Sequence, residues 1–487
     1  MFKSKAIQIL RTLTNKEFKR LEDFVASPLW KHPAQAVNLF NILRKLYPDF
    51  DEKKLARVRV FRQIFPREVF NEQKLRYVIS DLTKLLEQFI AQLNYMSDAT
   101  HLNHHLQRAY AERGLSKFFY QSIEAGKEAI EKNELRDVQY NFNKFILEEE
   151  RYIYSSVNNR QVVENENIIQ DLENLIRNLD LFYVAKKLRY SCEFANNQNV
   201  FVLNYPNPLF LDAILQYLAQ IEPAQLPPAV LVYRQVWHML TKQNAEADYH
   251  ELLNILNLYD TQFQKTELYE IYTYACNYCI RQINKGQYHF MQHLFNIYKL
   301  LIDKEILISV GSLSERMYKN IVSLALKLGH FDFAQTFMHD YKKWLPPDNQ
   351  TNAFTFNKAN WYFHQNQFDK TVQTLNQVEF TDAFYHLDTK ILLLKCYYEM
   401  GEEIPLYNLI ETMRAYLLRN KTAAKASKYH YVIFLKQVKR LMNYKMGEGK
   451  SIHQFKEKVL KGLQLAGHTN WLLSKITELA KKYPQAD

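Results

Sequence analysis

The sequence predicts an all-α protein: an N-terminal helical domain followed by helical hairpins stacked through the C-terminal half. Three observations predict it. Apolar residues recur at steps of three and four along most of the chain, and no sustained apolar/polar alternation marks a strand. Only 10 of 487 residues are glycine, roughly 2% against a usual ~7%. Glycine supplies the positive φ and close backbone approach that β-hairpin turns, phosphate loops and nucleophile elbows need. Hydrophobic residues make up 47% and aromatics 14%, which is ample material for a core and argues against disorder.

The N-terminal domain is expected over residues 1–95. Thr14 and Glu17 have capping-box spacing, in which the hydroxyl accepts the N3 amide while the carboxylate reaches back to the cap amide. Phe18, Leu21, Phe24 and Val25 follow at helical spacing. Pro28, Pro33, Pro48 and Pro66 then divide the next fifty residues into short helices, because proline ends a helix at or before its predecessor. After Asn71, the residues Leu75, Ile79, Leu82, Leu86, Phe89 and Leu93 keep one helix face apolar for five turns. That face is expected to be the centre of a small bundle, with a coiled-coil seam as the alternative.

Residues 96–267 read as irregular helical hairpins, with long segments over 135–157 and 162–193. Loops are expected at Pro206, Pro208, Pro223, Pro227 and Pro228. Residues 268–420 are more regular. Four units align on a turn residue: Gly286 with Tyr288 after it, Gly329 with Phe331, Asn366 with Phe368, and a weaker copy at Gly401. The spacings are 43, 37 and 35 residues, a period that marks stacked helical hairpins. Ala325, Ala334, Ala359 and Thr371 are small where two helices cross closely. Phe331, Tyr362, Phe368 and Leu375 are large where gaps between hairpins need filling, and Pro346 ends the second unit.

These units resemble a divergent tetratricopeptide pattern over roughly residues 268–418, so the resemblance implies a TPR-like α-solenoid. The chain departs from that pattern at the first-helix Trp, at Glu403 and in the 43-residue first interval. The stretches TNKEFKRLEDFVASP, RQINKGQYHF, YKNIVSLALKLGHFDFA and NWLLSKITEL also resemble a family of uncharacterised bacterial all-helical proteins with such repeats. Each stretch reads as packing chemistry, and the resemblance implies a fold without implying an activity.

Residues 421–487 read as basic C-terminal capping helices. Net charge is +11, distributed as +8 over residues 1–95, +10 over 421–487 and −7 between them. From Glu411 to Glu448 no acidic residue intervenes. On a helix over residues 421–445, Lys421, Lys425, Lys428, Lys436, Lys439 and Arg440 fall within about 120° of arc, and Tyr431, Phe434, Leu435, Val438, Leu441 and Met442 on a separate one. The apolar arc is expected to dock on the preceding hairpin and the basic arc to face outward. A second basic cluster comprises Arg57, Arg59, Arg62 and Arg67, with Lys74 and Arg76 beyond. Both clusters are candidate sites for an anionic partner, either an acidic protein surface or nucleic-acid phosphate; the bland alternative is a solvated face.

No nucleotide-binding glycine loop, HExxH or nucleophile elbow occurs, and no catalytic residue or cofactor is assigned. Cys276, Cys279, His289 and His293 have the order of a zinc finger, with Cys279 and His293 each seven residues from Gly286. The gap between the pairs is short for such a finger, and Cys279 also reads as a small crossing residue, so no metal is assigned. His101, His104 and His105 read as a solvated helix end. Four cysteines make no disulfide framework, and no apolar run approaches the ~20 residues that span a bilayer. The expectation is a cytoplasmic, non-enzymatic scaffold for a protein or peptide partner; the alternative is a nucleic-acid-associated protein that uses its basic ends.

Overall fold

The capping box is where the sequence reading first meets the fold. Thr14 Oγ1 accepts the Glu17 amide at 3.3 Å, and Glu17 Oε2 accepts the Thr14 amide at 2.8 Å. These bonds hold the Glu17 carboxyl below its ordinary range. The computed structural model describes residues 2–28, 32–158, 166–201, 203–378, 383–419, 425–447, 452, 455–457 and 469–482, and every regular element among them is helical. The chain divides into two compact units, residues 1–133 with 142–178, and residues 134–141 with 179–487.

Unit 1 contains α1(Lys5–Thr12), α2(Asn15–Ala26), α3(Ala34–Arg44), α4(Arg57–Ile64), α5(Glu72–Ser97), α6(Ala99–Glu112), α7(Ser116–Lys132) and most of α8(Val138–Asn158). Between α2 and α5 the breaks fall at the prolines, Pro28, Pro33, Pro48 and Pro66. The α5 cap is Asn71, whose side chain accepts the Lys74 amide at 2.9 Å. Leu75, Leu82, Leu86 and Phe89 are buried, with Val78 and Leu85 beside them, while Ile79 and Leu93 are partly buried against the same core. The α5 face packs on α1 and α3, so it is the centre of a bundle. Burying a Leu or Phe side chain contributes about 1.5–3 kcal/mol.

Unit 2 contains the rest of α9(Glu166–Phe201), then α10(Leu211–Ala219), α11(Pro228–Thr241), α12(Glu246–Tyr259), α13(Lys265–Asn284), α14(Phe290–Asp303), α15(Glu315–Lys327), α16(Phe331–Tyr341), α17(Gln350–His364), α18(Phe368–Leu375), α19(Ala383–Met400), α20(Glu403–Arg419), α21(Lys425–Lys445) and α22(Thr469–Lys482). From α11 to α20 the helices pair as neighbours, and α11 also packs on α13, α15 on α17, and α17 on α19.

The turns inside four of these pairs share one geometry. Gly286, Gly329, Asn366 and Gly401 have φ of 92°, 81°, 60° and 79°. In each case the next amide reaches back to a carbonyl in the last helical turn: Gln287 to Gln282 at 3.0 Å, His330 to Ala325 at 2.9 Å, Gln367 to Tyr362 at 3.0 Å and Glu402 to Tyr397 at 2.9 Å. This is the left-handed helix cap that glycine, and next asparagine, accepts most readily. A Cβ at Gly286 or Gly329 would meet nothing within 4 Å, so φ, not space, selects glycine there. The same bond, from Leu115 to Tyr110 at 2.9 Å, closes α6 onto α7 at Gly114 in unit 1, a copy the sequence reading did not register.

Ala325, Ala334, Ala359 and Thr371 are all fully buried at the crossings, and Leu375 fills the interior. Tyr362 and Phe368 are only half-buried. Phe368 meets Phe363 at a ring distance of 5.6 Å on the wall of an open cavity.

Candidate functional site

Sequence reasoning placed its candidate sites on basic faces. On α21, Phe434, Leu435, Val438, Leu441 and Met442 are buried, and Lys436, Lys439 and Arg440 are exposed, the two-sided arrangement expected. Lys439 pairs with Glu411 at 3.5 Å, and Glu411 also takes Arg414 at 3.2 Å. Lys421 lies outside the described residues, as do the side chains of Lys425 and Lys428. Lys445 is turned back, donating to the Tyr398 carbonyl at 3.0 Å.

In unit 1, Arg57 pairs with Glu72, which also takes Arg76 at 3.2 Å, and Lys74 pairs with Glu68 at 2.6 Å. Arg59, Arg62 and Arg67 are exposed and make no ion pair among the described residues.

The Cys–His constellation is dispersed. Cys276 and Cys279 are buried in the α13 core, where desolvation raises both thiols, Cys279 to about 12. His289 faces outward, with Nε2 3.4 Å from Glu246. His293 sits in a ring cluster with His250 and Tyr249. No group of three His, Cys, Asp or Glu side chains among the described residues could hold a metal ion, and no helix among them is long and apolar enough to cross a membrane.

The histidine run also differs from its expected role. His101 and His105 are exposed, but His104 turns inward to 3.7 Å from Glu150, because α7 and α8 cover that face of α6. Burial pushes its imidazole pKa down. It borders a largely apolar cavity of about 370 Å³ with Gln107 and Phe142.

A convergence of charged groups that no sequence window pointed to lies in a cavity of about 740 Å³ in unit 2. Four helices give it polar stripes at near-four-residue spacing, which keeps each stripe on one helix face. Helix α15 supplies Lys319, Ser323 and Lys327; α17 supplies Asn360, Phe363 and His364; α19 supplies Asp388, Lys395 and Glu399; and α22 supplies Trp471 and Lys475.

The acids of this wall are already engaged. Asp388 pairs with Lys319. Glu399 takes Lys475 at 2.9 Å and the Trp471 indole N–H at 2.8 Å. Lys327 has no ion-pair partner among the described residues, and Lys395 Nζ stands 5.5 Å from the Trp471 ring centre.

Enclosure shifts the titration of these groups. Lys327 is open to the cavity's solvent, yet the walls displace enough water to hold its pKa below the ordinary lysine value. Burial, reinforced by the Lys327 charge, brings Lys395 down to about 7, although Asp388 and Glu399 pull the other way. Burial and the same two lysines bring His364 down to about 4. One signal in the sequence marked these positions: Lys327 and Lys395 each interrupt an apolar helical run, within LALKLG and ILLLKC.

Comparisons with protein-family models, with curated proteins and with solved structures return no match. The chemistry of the cavity and of the exposed basic faces is what bears on function.

Proposed function

We propose that this chain is a non-enzymatic interaction scaffold, a TPR-like α-solenoid that holds a protein or peptide partner on its stacked hairpins. The observation that carries the reading is the repeated turn: Gly286, Gly329, Asn366 and Gly401 close successive hairpins with one geometry. Repetition of this kind builds an extended surface whose residues come from consecutive units. An open cavity lined from α15, α17 and α19 is what such a surface offers a partner. In this reading the chain belongs with the bacterial helical-repeat proteins it resembles, and works in the cytoplasm.

The test is affinity purification of the tagged chain from its native cells, with and without nuclease, beside a variant carrying Lys319→Glu and Lys327→Glu. A protein that co-purifies with the wild type through nuclease and is lost from the variant supports the scaffold. Loss of every partner on nuclease treatment overturns it. That outcome favours the second reading, phosphate binding by exposed Arg59, Arg62 and Arg67 with Lys436 and Arg440, for which affinity would fall steeply with salt.

A further inference from the structure

We propose that the unit 1 cavity bounded by α5, α6, α7 and α8 is a binding site for a small, neutral, planar molecule carrying an N–H or O–H donor, with that donor received by the side-chain carbonyl of Gln107 and its ring held against Phe142, Ile146 and Leu147. The inference stands on the cavity and on a buried acceptor at its wall, and does not depend on the scaffold reading.

The acceptor sets what the ligand must bring. Gln107 is 1% exposed and borders the cavity. Its Nε2 donates to the Ser122 carbonyl at 3.2 Å, beside Asn103 Nδ2 at 3.1 Å. That bond fixes which way the amide faces, and Oε1 finds no hydrogen-bond partner among the described residues. A buried acceptor without a donor is costly, and packing alone would be served by an apolar side chain. Gly126 makes room for the arrangement. It lies inside α7, where glycine is a poor helix former, and a Cβ there would stand 2.7 Å from Asn103 Nδ2, 2.9 Å from Leu147 Cδ1 and 3.4 Å from Gln107 Nε2. Bare backbone at this position is what lets both amides reach one carbonyl.

Lining and size set the rest. Among the described residues, no Lys, Arg, Asp or Glu lines the cavity, so a charged ligand would lose its hydration without gaining a counter-charge. His104 Nδ1 likewise finds no hydrogen-bond partner among the described residues. Burial lowers the His104 pKa, and a neutral imidazole adds one donor and one acceptor to the wall. Tyr95, His105 and His104 stand edge to face in turn, at ring distances of 5.3 and 5.6 Å. With Phe142 they give the lining the flat faces and edges that suit a planar guest. Ala125 and Ala129, small and exposed one turn apart on α7, leave the mouth open. About 370 Å³ lies at the lower end of the range of small-molecule sites, which are mostly apolar with a few convergent polar groups.

The experiment is calorimetric titration of the purified full-length chain with indole and 1-methylindole, with phenol and anisole, with benzoate, and with a short blocked peptide carrying one tryptophan. It is run slightly alkaline, where phenol keeps its proton. The expected result is saturable one-to-one binding of indole or phenol, about fivefold or more tighter than the methylated partner, since only the unmethylated molecule donates. Benzoate should bind about tenfold or more weaker than phenol. Gln107→Met should level indole with 1-methylindole, a change of preference that a merely structural role would not produce. Ala125→Leu, at an exposed position, should weaken every ligand by about tenfold or more by filling the mouth, and Lys436→Met on α21 should change nothing.

Helical content measured on each variant separates a lost site from a lost fold. Indole bound at least as tightly as the peptide assigns the site to a free small molecule; the peptide preferred assigns the same chemistry to a partner's aromatic side chain. Absence of saturable binding by both indole and phenol, methylated partners bound as tightly as their parents, or binding that Ala125→Leu retains in full, overturns the proposal. None of these results depends on whether a protein partner co-purifies, so failure here is distinct from failure of the scaffold reading.

Discussion

Two charged clusters of unit 2 contrast in how they are built. At the first, Arg189 on α9 lies 3.9 Å from Glu267 and reaches Glu270 at 2.5 Å, while the Tyr233 hydroxyl donates to Glu267 at 2.7 Å. Burial raises the Glu267 carboxyl, and the Tyr233 bond and Arg189 charge pull it back. Each charged group there meets an opposite charge or a hydrogen-bond partner. At the second, the α15–α19 cavity, Lys327 has no ion-pair partner among the described residues, and burial together with the Lys327 charge lowers the pKa of Lys395. A cluster that closes on itself holds a fold together, whereas one that depresses a lysine costs the fold stability.

The comparison breaks most sharply at Glu267. Glu267→Ala strips Arg189 and Tyr233 of a shared partner and is expected to cost about 3 kcal/mol, the scale for leaving a buried charge half-compensated; urea unfolding checks it. An effect below the level of an ordinary surface change would show that the cluster is not structural.

The cavity should respond with the opposite sign. Lys395 is held at about 7 against an ordinary 10.5, so between those values the unfolded chain binds more protons than the folded one. Stability should therefore rise with pH across that window, and the full penalty should be present below it. Lys395→Met is expected to stabilise the chain by on the order of 2 kcal/mol at and below about pH 7. The advantage should vanish towards pH 10.5, read by thermal unfolding across that range. A destabilising Lys395→Met at pH 6 would place that lysine with the structural cluster.

Tyr233→Phe sharpens the contrast more gently. It removes one hydrogen bond to a charged acceptor and is expected to cost about 1–2 kcal/mol. The weakest effect should come from outside both clusters: Arg59→Ala, Arg62→Ala and Arg67→Ala are each expected to stay within about 0.5 kcal/mol in the same unfolding assay. Larger losses would mean that these arginines have structural partners.

How far the sequence led depends on how local each feature is. The Thr14–Glu17 box, the α5 seam and the turns at Gly286, Gly329 and Gly401 are each written within a few residues, and each stands where the spacing put it. Asn366 aligns with the glycines as a turn residue followed by an aromatic, and its φ of 60° fits the tolerance of asparagine for the left-handed region. The cavity was invisible for the converse reason. Lys327, Lys395 and Trp471 lie on different helices, and the segments that carry Lys327 and Trp471 read as packing chemistry alone. The charge runs that a sequence window detects, on α4 and α21, are exposed where described, with Arg57 and Lys439 in ion pairs. A lysine inside an apolar run was the informative signal, since it marks a charge the fold must place somewhere enclosed.

The position of α22 bears on the order in which this molecule forms. Each hairpin of unit 2 closes over a short stretch of chain, and such local contacts form early and rapidly. Trp471 and Lys475 reach the cavity only after everything from α16 to α21 has been threaded between them and Lys327. This part of the cavity wall is therefore made by long-range contacts, and amide exchange along α22 is expected ahead of that along α15 and α17. Deleting that helix is expected to leave the hairpins and to remove one wall of the cavity.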